Sequence, residues 1–398
     1  MLKMIARFRA ALGLREIVAA VAWKPWAHDL EEYERAFAKK MNQEFALGLP
    51  YGRTGLMLTF EALGLQNKEI ICPAYTCVVV AHAIVLSGNI PVFVDSEESD
   101  FNMDLKLAAD AITERTGAII ATSIFGYPVN LDQIRSIQNR HPEISVIQDC
   151  CHSFDAQWHG SGVHKQGVAA VFAMNISKLM SSIFGGMITT DDPALFEKLR
   201  SSRDIRILKP RISKSLRRLA YLIATTLAFH PFFYRIVNKL EQSGLLNRFV
   251  KYYNDSTIEL PSDAYIGLTK LEARVGLAQL NKLNSIVQHR RAISRIYDEA
   301  LPSHILKPPQ VHGATYSHYV IRVKDRHMVL DQALKQGIQL GQLIEYSIPY
   351  MNSYKRFVNS GQTFPVSFEL SKTTINLPLW VNTATAKRIA SLLSKLES

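Results

Sequence analysis

A lysine and a carboxylate each follow an apolar run in this sequence. Lys178 comes after "AAVFAMN" and precedes a Gly-Gly pair and a second β-rich run, and Asp149 closes "ISVIQD". A lysine is seldom buried unless it is paired or has reacted, so its place between apolar runs needs a reason. A lysine amine can form a Schiff base with an aldehyde and can then transfer a proton. We therefore predict that Lys178 is a covalent catalytic residue.

A third feature completes a possible cofactor site. Thr54 opens the apolar helix "TGLMLTFEALG", whose N-terminal amides can hold a phosphate. An amine, a carboxylate and a phosphate cradle are the parts that a pyridoxal 5'-phosphate (PLP) site needs, because the carboxylate keeps the pyridine nitrogen protonated. Taken singly, Lys178 is also compatible with an exposed loop lysine, and Asp149 and Thr54 with helix caps. Spacing alone leaves these alternatives open.

Strands and helices alternate around these residues. The predicted strands are "EIICPAY", "IPVFVD", "GAIIATSIFG" and "ISVIQD", followed by "AAVFAMN" and "GGMITTD", and the helices between them are "CVVVAHAIVLSG", "LAADAI" and "LDQIRSIQNRH". This alternation predicts an α/β fold, a mainly parallel sheet sandwiched by helices. Ligands of such sheets collect at the carboxyl ends of the strands, which is where Asp149 and Lys178 stand.

We divide the chain into four parts. Residues 16–48 look helical, and a long helix is predicted from about Thr269 to Ala300. The parts are an N-terminal helical arm (1–43), a large PLP-binding α/β domain (44–200), a basic apolar insertion (201–260), and the long helix with a small C-terminal α+β domain (261–398).

Composition describes a globular protein. The 398 residues are 47% hydrophobic and 20% charged. The four cysteines (Cys72, Cys77, Cys150 and Cys151) lack metal-ligand spacing, so we expect no metal site and a reduced, cytoplasmic setting. Arginines interrupt the apolar N-terminus, which we interpret as an amphipathic helix and not as a signal peptide.

The net charge of +11 is concentrated in one segment. Between Arg200 and Lys251 there are 12 Lys/Arg and two acidic residues, a net of +10. The uncharged stretch Leu219 to Tyr234 is shorter than the roughly 20 residues that span a bilayer, and Pro231 would interrupt it.

Two interpretations of this segment stay open. Residues 209–250 either form an in-plane contact with the inner face of the membrane, or cover a dimer or domain interface. Nucleic acid is not expected as a partner, because the basic residues are interleaved with aliphatic and not with stacking aromatic side chains.

Six blocks of sequence, in one order, resemble the DegT/DnrJ/StrS family of sugar aminotransferases, which belong to the fold-type-I PLP class. The blocks are "YGRTGLMLTFEALG", "ICPAYTCVVVAHAIVLSGNIPVFVD", "ITERTGAIIATSIFGYPVNLDQI", "VIQDCCHSFDA", "FAMNISKLMSSIFGGMITTD" and "LEARVGLAQLNKLNSIVQHRR". The resemblance runs from about Glu44 to the C-terminus, except for the basic insertion.

The resemblance implies roles for individual residues. Lys178 matches the Schiff-base lysine of the family, and Asp149 matches the partner of its pyridine nitrogen. His152 matches a glutamine or histidine packed near the cofactor ring. Thr54, with the amides of Arg53 to Gly55, matches the phosphate-binding turn.

Several positions depart from the family pattern. Cys77 stands where many relatives stack an aromatic residue on the pyridine ring. Ala173 stands where a serine usually binds the phosphate, and Asn175 or Ser177 is expected to compensate. Tyr265 lies near the position of an asparagine that relatives lend to the partner's phosphate site.

Two further departures concern the substrate side: Phe184 replaces a frequent glutamate, and Ser317 replaces a frequent histidine. The resemblance implies a homodimer that transfers the amino group of glutamate to a keto-sugar, carried on a nucleotide or on a lipid, for cell-surface glycan or polysaccharide biosynthesis. One alternative is a PLP-dependent sugar dehydratase, although such relatives commonly have histidine in place of the lysine. Another is a non-catalytic scaffold or regulatory protein of the same fold.

Overall fold

The computed structural model describes residues 4–22, 28–230, 232–245 and 254–397. Parts of the predicted N-terminal arm and of the basic insertion, including Pro231, Arg248 and Lys251, lie outside the described residues. The helices are α1 (Leu14–Val21), α2 (Asp29–Met41), α3 (Gly52–Ala62), α4 (Val79–Leu86), α5 (Leu105–Asp110), α6 (Leu131–Arg140), α7 (Pro193–Arg206), α8 (Ile212–Ala228), α9 (Tyr234–Gln242), α10 (Lys270–Leu280), α11 (Leu283–Ala300), α12 (Arg326–Lys335), α13 (Pro365–Thr373) and α14 (Thr383–Leu396). The strands are β1 (Phe45–Leu49), β2 (Glu69–Pro73), β3 (Ile90–Val94), β4 (Thr116–Thr122), β5 (Ser145–Asp149), β6 (Gln157–Trp158), β7 (Ser161–Gly162), β8 (Ala169–Ala173), β9 (Gly186–Thr190), β10 (Tyr319–Arg322) and β11 (Thr374–Leu377).

A seven-stranded sheet forms the centre of the molecule, in the order β1-β9-β8-β5-β4-β2-β3. The run from β8 to β3 is parallel, whereas β9 pairs antiparallel with both β1 and β8. Every residue of β4 is buried, as expected for a strand that helices cover on both faces. The predicted α/β fold class is confirmed.

The C-terminal part contains a second, antiparallel sheet of β10 and β11. Its apolar residues join the core that lies on one face of the large sheet, so residues as distant as Leu47 and Leu393 belong to one hydrophobic cluster. The predicted small α+β region therefore packs directly on the large sheet.

The predicted helical range 16–48 is confirmed in part, and the single long helix predicted for 269–300 is wrong. The described residues of 16–48 form α1, α2 and the start of β1. Helix α2 is followed by Asn42, which adopts the left-handed conformation (φ 49°) that often terminates a helix. The range 269–300 is α10 and α11. The α-helical hydrogen-bond pattern is interrupted at Lys282. Its amide donates to the carbonyl of Gln279, three residues back, at 2.9 Å, whereas an α-helix would use the carbonyl four residues back.

Gly186, the second glycine of the Gly-Gly pair, begins β9 and allows this strand to lie close to the start of α3. A Cβ atom at Gly186 would lie 2.4 Å from the carbonyl carbon of Tyr51 and 2.6 Å from the Gly52 nitrogen. Both neighbours are backbone atoms, which cannot move aside as a flexible side chain would, so only glycine allows this approach. The strand after Lys178 is thereby fixed beside the N-terminus of α3.

Candidate active site

Asp149 is the last residue of β5, and its side chain is held in place from two sides. Its Oδ1 atom accepts a hydrogen bond from the Cys151 amide at 3.0 Å, and its Oδ2 atom accepts one from Thr122 Oγ1 at 3.3 Å. Asp149 is buried, and a buried carboxylate needs such partners. The structure thus places one oriented carboxylate at the carboxyl end of a central strand.

Lys178 ends a tight turn that follows β8. The Lys178 amide donates to the Asn175 carbonyl at 3.1 Å, and Asn175 Oδ1 accepts from the Ser177 amide at 3.0 Å and from its hydroxyl at 2.7 Å. The Ser177 hydroxyl therefore gives its hydrogen to Asn175, and the amide nitrogen of Asn175 is the donor left for a ligand. Lys178 itself is half-buried.

The electrostatics place Lys178 beside the residues that follow Asp149. Burial and the Asp149 carboxylate raise the pKa of the Cys151 thiol, while the Lys178 charge acts in the opposite direction. Burial, followed by the charges of Lys178 and His318, lowers the pKa of His152 well below its usual range. The geometry agrees with this, because Lys178 and His318 line one cleft and the His318 ring lies 5.5 Å from the His152 ring.

His152 is a buried, neutral imidazole. Its Nδ1 atom accepts a hydrogen bond from the Phe125 amide at 3.2 Å, which places its proton on Nε2. Its ring lies parallel to Phe125, with 6.0 Å between ring centroids and 15° between planes.

The sequence analysis missed a second imidazole, His318. Its ring centroid is 5.5 Å from that of His152, and burial, followed by the charges of Arg290 and Lys178, lowers its pKa well below the usual range. The resemblance drew attention to Ser317, where relatives often have histidine. The imidazole near His152 comes instead from the next residue, His318. The only feature of the sequence that could have indicated it is that a histidine directly follows Ser317.

In the His152→Gln variant, the free energy of unfolding should fall less steeply with decreasing pH than in wild type. In the native state the imidazole stays neutral, and in the unfolded chain it takes up a proton below about pH 6.5, so stability is lost as the pH falls. We expect wild type to lose about 1.4 kcal/mol more than His152→Gln per pH unit below that value. Urea unfolding at a series of pH values measures this difference. His304→Gln, at an exposed position, is the control, and equal pH slopes for all three chains would contradict the prediction.

The phosphate-binding helix begins earlier than predicted. Helix α3 starts at Gly52 with Tyr51 as its N-cap, so the prediction that Thr54 opens the helix as its cap is wrong. Thr54 lies in the first turn, buried, and its hydroxyl donates to the Ala264 carbonyl at 3.0 Å. Because the Gly55 amide donates to the Tyr51 carbonyl, the amides without a partner inside the helix are those of positions 52–54.

The N-terminus of α3 lies at the edge of the sheet where β5 ends with Asp149. A Cβ atom at Gly52 would lie 3.1 Å from the Ala173 side chain and 3.4 Å from Cys151 Sγ. The N-terminus of α3 thus lies beside the end of β8, which precedes the Lys178 turn, and beside Cys151, two residues after Asp149. An amine, a carboxylate and a helix N-terminus form a donor set that fits PLP. Ala173 offers no hydroxyl there, as its sequence indicated.

The remaining predicted residues lie at the margin of this arrangement. Arg53 acts on His82, whose pKa is lowered to about 4 by burial and then by this charge. Cys77 is half-buried just before α4, and no side-chain hydrogen bond of Cys77 is found in the described part of the chain. Tyr265 follows the carbonyl that accepts from Thr54, so it lies next to the α3 N-terminus of its own chain.

A cationic cleft opens beside Lys178. None of the described residues that line it is acidic; they include Arg7, Arg9, Lys178, Arg290, Ser317, His318 and Trp380. Burial lowers the pKa of Arg290 to about 10, which leaves it charged at neutral pH, and it donates to the carbonyls of Tyr316 and Ser317. Within the described residues, no group of three or more His, Cys, Asp or Glu could hold a metal ion.

The sequence over residues 13–394 matches the DegT/DnrJ/EryC1/StrS aminotransferase family. The chain belongs to this family. The match covers nearly the whole chain, which confirms the resemblance found in the six sequence blocks. This DegT/DnrJ/EryC1/StrS family member is therefore a PLP-dependent aminotransferase, and PLP is its cofactor.

Solved structures with the same fold include sugar-modifying enzymes. DesV of S. venezuelae, in complex with a ketimine intermediate, superposes with a TM-score of 0.78 at 19% identity, with 100% of this chain and 99% of that chain covered. Spr1654 of Streptococcus pneumoniae, solved in PMP and PLP forms, has a TM-score of 0.77 for the PMP form at 18% identity, covering 100% and 99%. PseC of Helicobacter pylori, an aminotransferase involved in the biosynthesis of pseudoaminic acid, has a TM-score of 0.76 at 19% identity, covering 99% of each chain. At such identities the likeness shows the fold.

Proposed function

We propose that this aminotransferase transfers the amino group of glutamate to a keto-sugar carried on a nucleotide, with Lys178 as the catalytic lysine. The observation that supports the proposal is that β8, which leads into the Lys178 turn, ends beside Cys151 and the N-terminus of α3. The product would serve cell-surface glycan or polysaccharide biosynthesis.

Each side chain has a distinct task in this proposal. When bound, PLP supplies the ring that accepts the electron pair released at the substrate carbon. Lys178 Nζ holds the cofactor covalently between turnovers and carries the proton during them. The Asp149 carboxylate keeps a proton on the pyridine nitrogen, and the first amides of α3 bind the phosphate. Neutral His152 packs near the ring without adding charge.

The substrate class follows from the cleft and from relatives. Arg9 and Arg290 line the cleft with positive charge and none of its described lining residues is acidic, which favours a substrate with phosphate groups. DesI was solved in the presence of its TDP-sugar product, and the dehydratase ColD was solved with bound GDP-perosamine. A nucleotide-linked sugar is therefore the carrier form that we propose.

A direct assay tests the proposal. The purified protein should show a visible absorbance band from lysine-linked PLP, the band should bleach when glutamate is added, and 2-oxoglutarate should appear in equal amount. A nucleotide-linked keto-sugar should restore the band and appear as an amino-sugar by mass spectrometry. A band that does not respond to glutamate would require another amino donor, and a protein without a band would be the non-catalytic alternative. A sugar that loses a hydroxyl group in place of gaining an amine would indicate the dehydratase.

A further inference from the structure

Helix α8 turns two of its three basic residues, together with Leu222, toward the rest of the protein. Lys214 is only 3% exposed, and the Arg218 side chain is 13% exposed. Apolar residues at helical spacing lie on the opposite side: Ile212 (80% exposed), Leu216 (64%), Ile223 (40%) and Leu227 (54%). Soluble proteins normally bury the apolar side of an amphipathic helix and expose the charged side. The exposed stripe of α8 therefore calls for an apolar environment outside the chain.

The orientation of α8 is fixed by specific contacts. Arg218 pairs with Asp263 at 2.7 Å and with fully buried Glu272 at 2.8 Å, and its guanidinium lies 4.0 Å from the centre of the Phe184 ring. Lys214 donates to the carbonyls of Ile266 and Gly267 at 2.8 and 2.9 Å. Turning the apolar stripe inward would break all of these bonds and leave a buried carboxylate unpaired, so the outward stripe is a built feature.

Helix α1 repeats the same arrangement. It packs against α8 and α10 with Glu16 completely buried, and this carboxylate accepts from Lys282 at 2.5 Å and from Gln279 at 2.9 Å. Besides Arg15, its exposed residues are apolar and again at helical spacing: Leu14 (76%), Val18 (57%) and Val21 (58%).

Helix α9 also exposes large apolar residues, although its basic residues Arg235 and Lys239 are exposed as well. Its buried residues include Tyr234 and Asn238, which hydrogen-bond to Gln339. The exposed apolar residues on and just before it are Phe232, Phe233, Ile236 and Leu240. We call the exposed apolar residues of α1, α8 and α9, with those two phenylalanines, the α1/α8/α9 face.

Positive charge surrounds this face. Residues 205–245 contain eight Lys/Arg and a single acidic residue, Glu241, which pairs with Arg7 at 2.6 Å. The cations there with no carboxylate within 4.0 Å among the described residues are Lys209, Arg211, Arg217, Arg235 and Lys239. Apolar stripes flanked by unpaired cations are typical of helices that lie in the interface of anionic membranes.

We propose that the α1/α8/α9 face docks on an anionic phospholipid surface, with α8 lying in the plane of that surface. None of the helices that the structure describes is long and apolar enough to cross a bilayer, which agrees with an in-plane contact. A two-fold contact with a second copy would bring together two surfaces that both carry these cations, whereas acidic headgroups complement them. The proposal concerns the exposed sides of these helices and is independent of the sugar substrate.

Vesicle flotation with the full-length, PLP-loaded protein tests this. The vesicles are phosphatidylcholine alone or mixed with phosphatidylglycerol. We expect flotation with the mixed vesicles only, and release at high salt. The variant Arg217→Gln/Arg235→Gln/Lys239→Gln should bind on the order of 10²-fold more weakly, because each basic residue near an anionic surface contributes roughly fivefold. The variant Ile212→Ser/Leu216→Ser/Leu227→Ser should not float, whereas Leu107→Ser, an exposed leucine of α5, should float like wild type.

Other outcomes overturn the proposal. Wild type that fails to float with the mixed vesicles, or an apolar variant that floats as well as wild type, excludes docking through this face. Light scattering distinguishes the competing occupant: if wild type is an oligomer that does not float and the apolar variant is a monomer, a second copy covers the face. The PLP absorbance band and the glutamate response of each variant show that the fold and the active site are intact, and they test the proposed function separately.

Discussion

Lys178→Ala should abolish turnover while the protein remains folded. The variant removes both the covalent attachment of PLP and the amine that carries the proton, and it leaves the Asn175–Ser177 turn intact, because that turn is held by other atoms. Loss of a positioned proton carrier lowers kcat by about 10²- to 10⁴-fold. The measurements are 2-oxoglutarate formation from glutamate and the position of the visible absorbance band.

Borohydride trapping adds a chemical readout. Reduction of the wild-type protein should attach the cofactor irreversibly to the peptide that contains Lys178, and the Lys178→Ala protein should carry no such label. Lys198→Ala removes an exposed lysine from α7 and should behave like wild type. A label on any other peptide, or activity of Lys178→Ala within tenfold of wild type, would remove Lys178 from the mechanism.

Asp149→Asn should retain cofactor binding and lose most of the rate. Asparagine keeps the shape of the side chain, and its oxygen can still accept from the Cys151 amide, as Asp149 Oδ1 does at 3.0 Å. The negative charge is lost, and with it the group that would hold a proton on the pyridine nitrogen. Removing one preorganised electrostatic partner lowers kcat by about 10²- to 10³-fold.

Single-turnover kinetics with glutamate separate this effect from weaker PLP binding, because the rate of band bleaching is measured on loaded protein only. The matched control is Asp331→Asn, an exposed carboxylate that pairs with Lys335 at 2.7 Å on α12. If Asp149→Asn bleaches as fast as this control, the carboxylate has a structural role only.

The sequence correctly placed Asp149 at the end of a strand and Lys178 shortly after one, because each position depends on a local pattern. A strand shows as a short apolar run, its carboxyl end is the residue where the run stops, and the parallel arrangement brings such ends to one edge. The local pattern gave the wrong start for the helix that contains Thr54. This helix begins two residues earlier, at Gly52, because the backbone there packs against Gly186, a residue far along the chain.

By itself, then, the sequence determined the fold class, the cofactor chemistry and the family, which all follow from residue order along the chain. Only the tertiary structure decided which distant side chains complete the site and which way the amphipathic helices face. His318 and Arg290 reach the cleft from the C-terminal part of the chain. Periodicity reveals that α8 has an apolar and a basic side, but partners far along the chain, Glu272 among them, select the side that is buried.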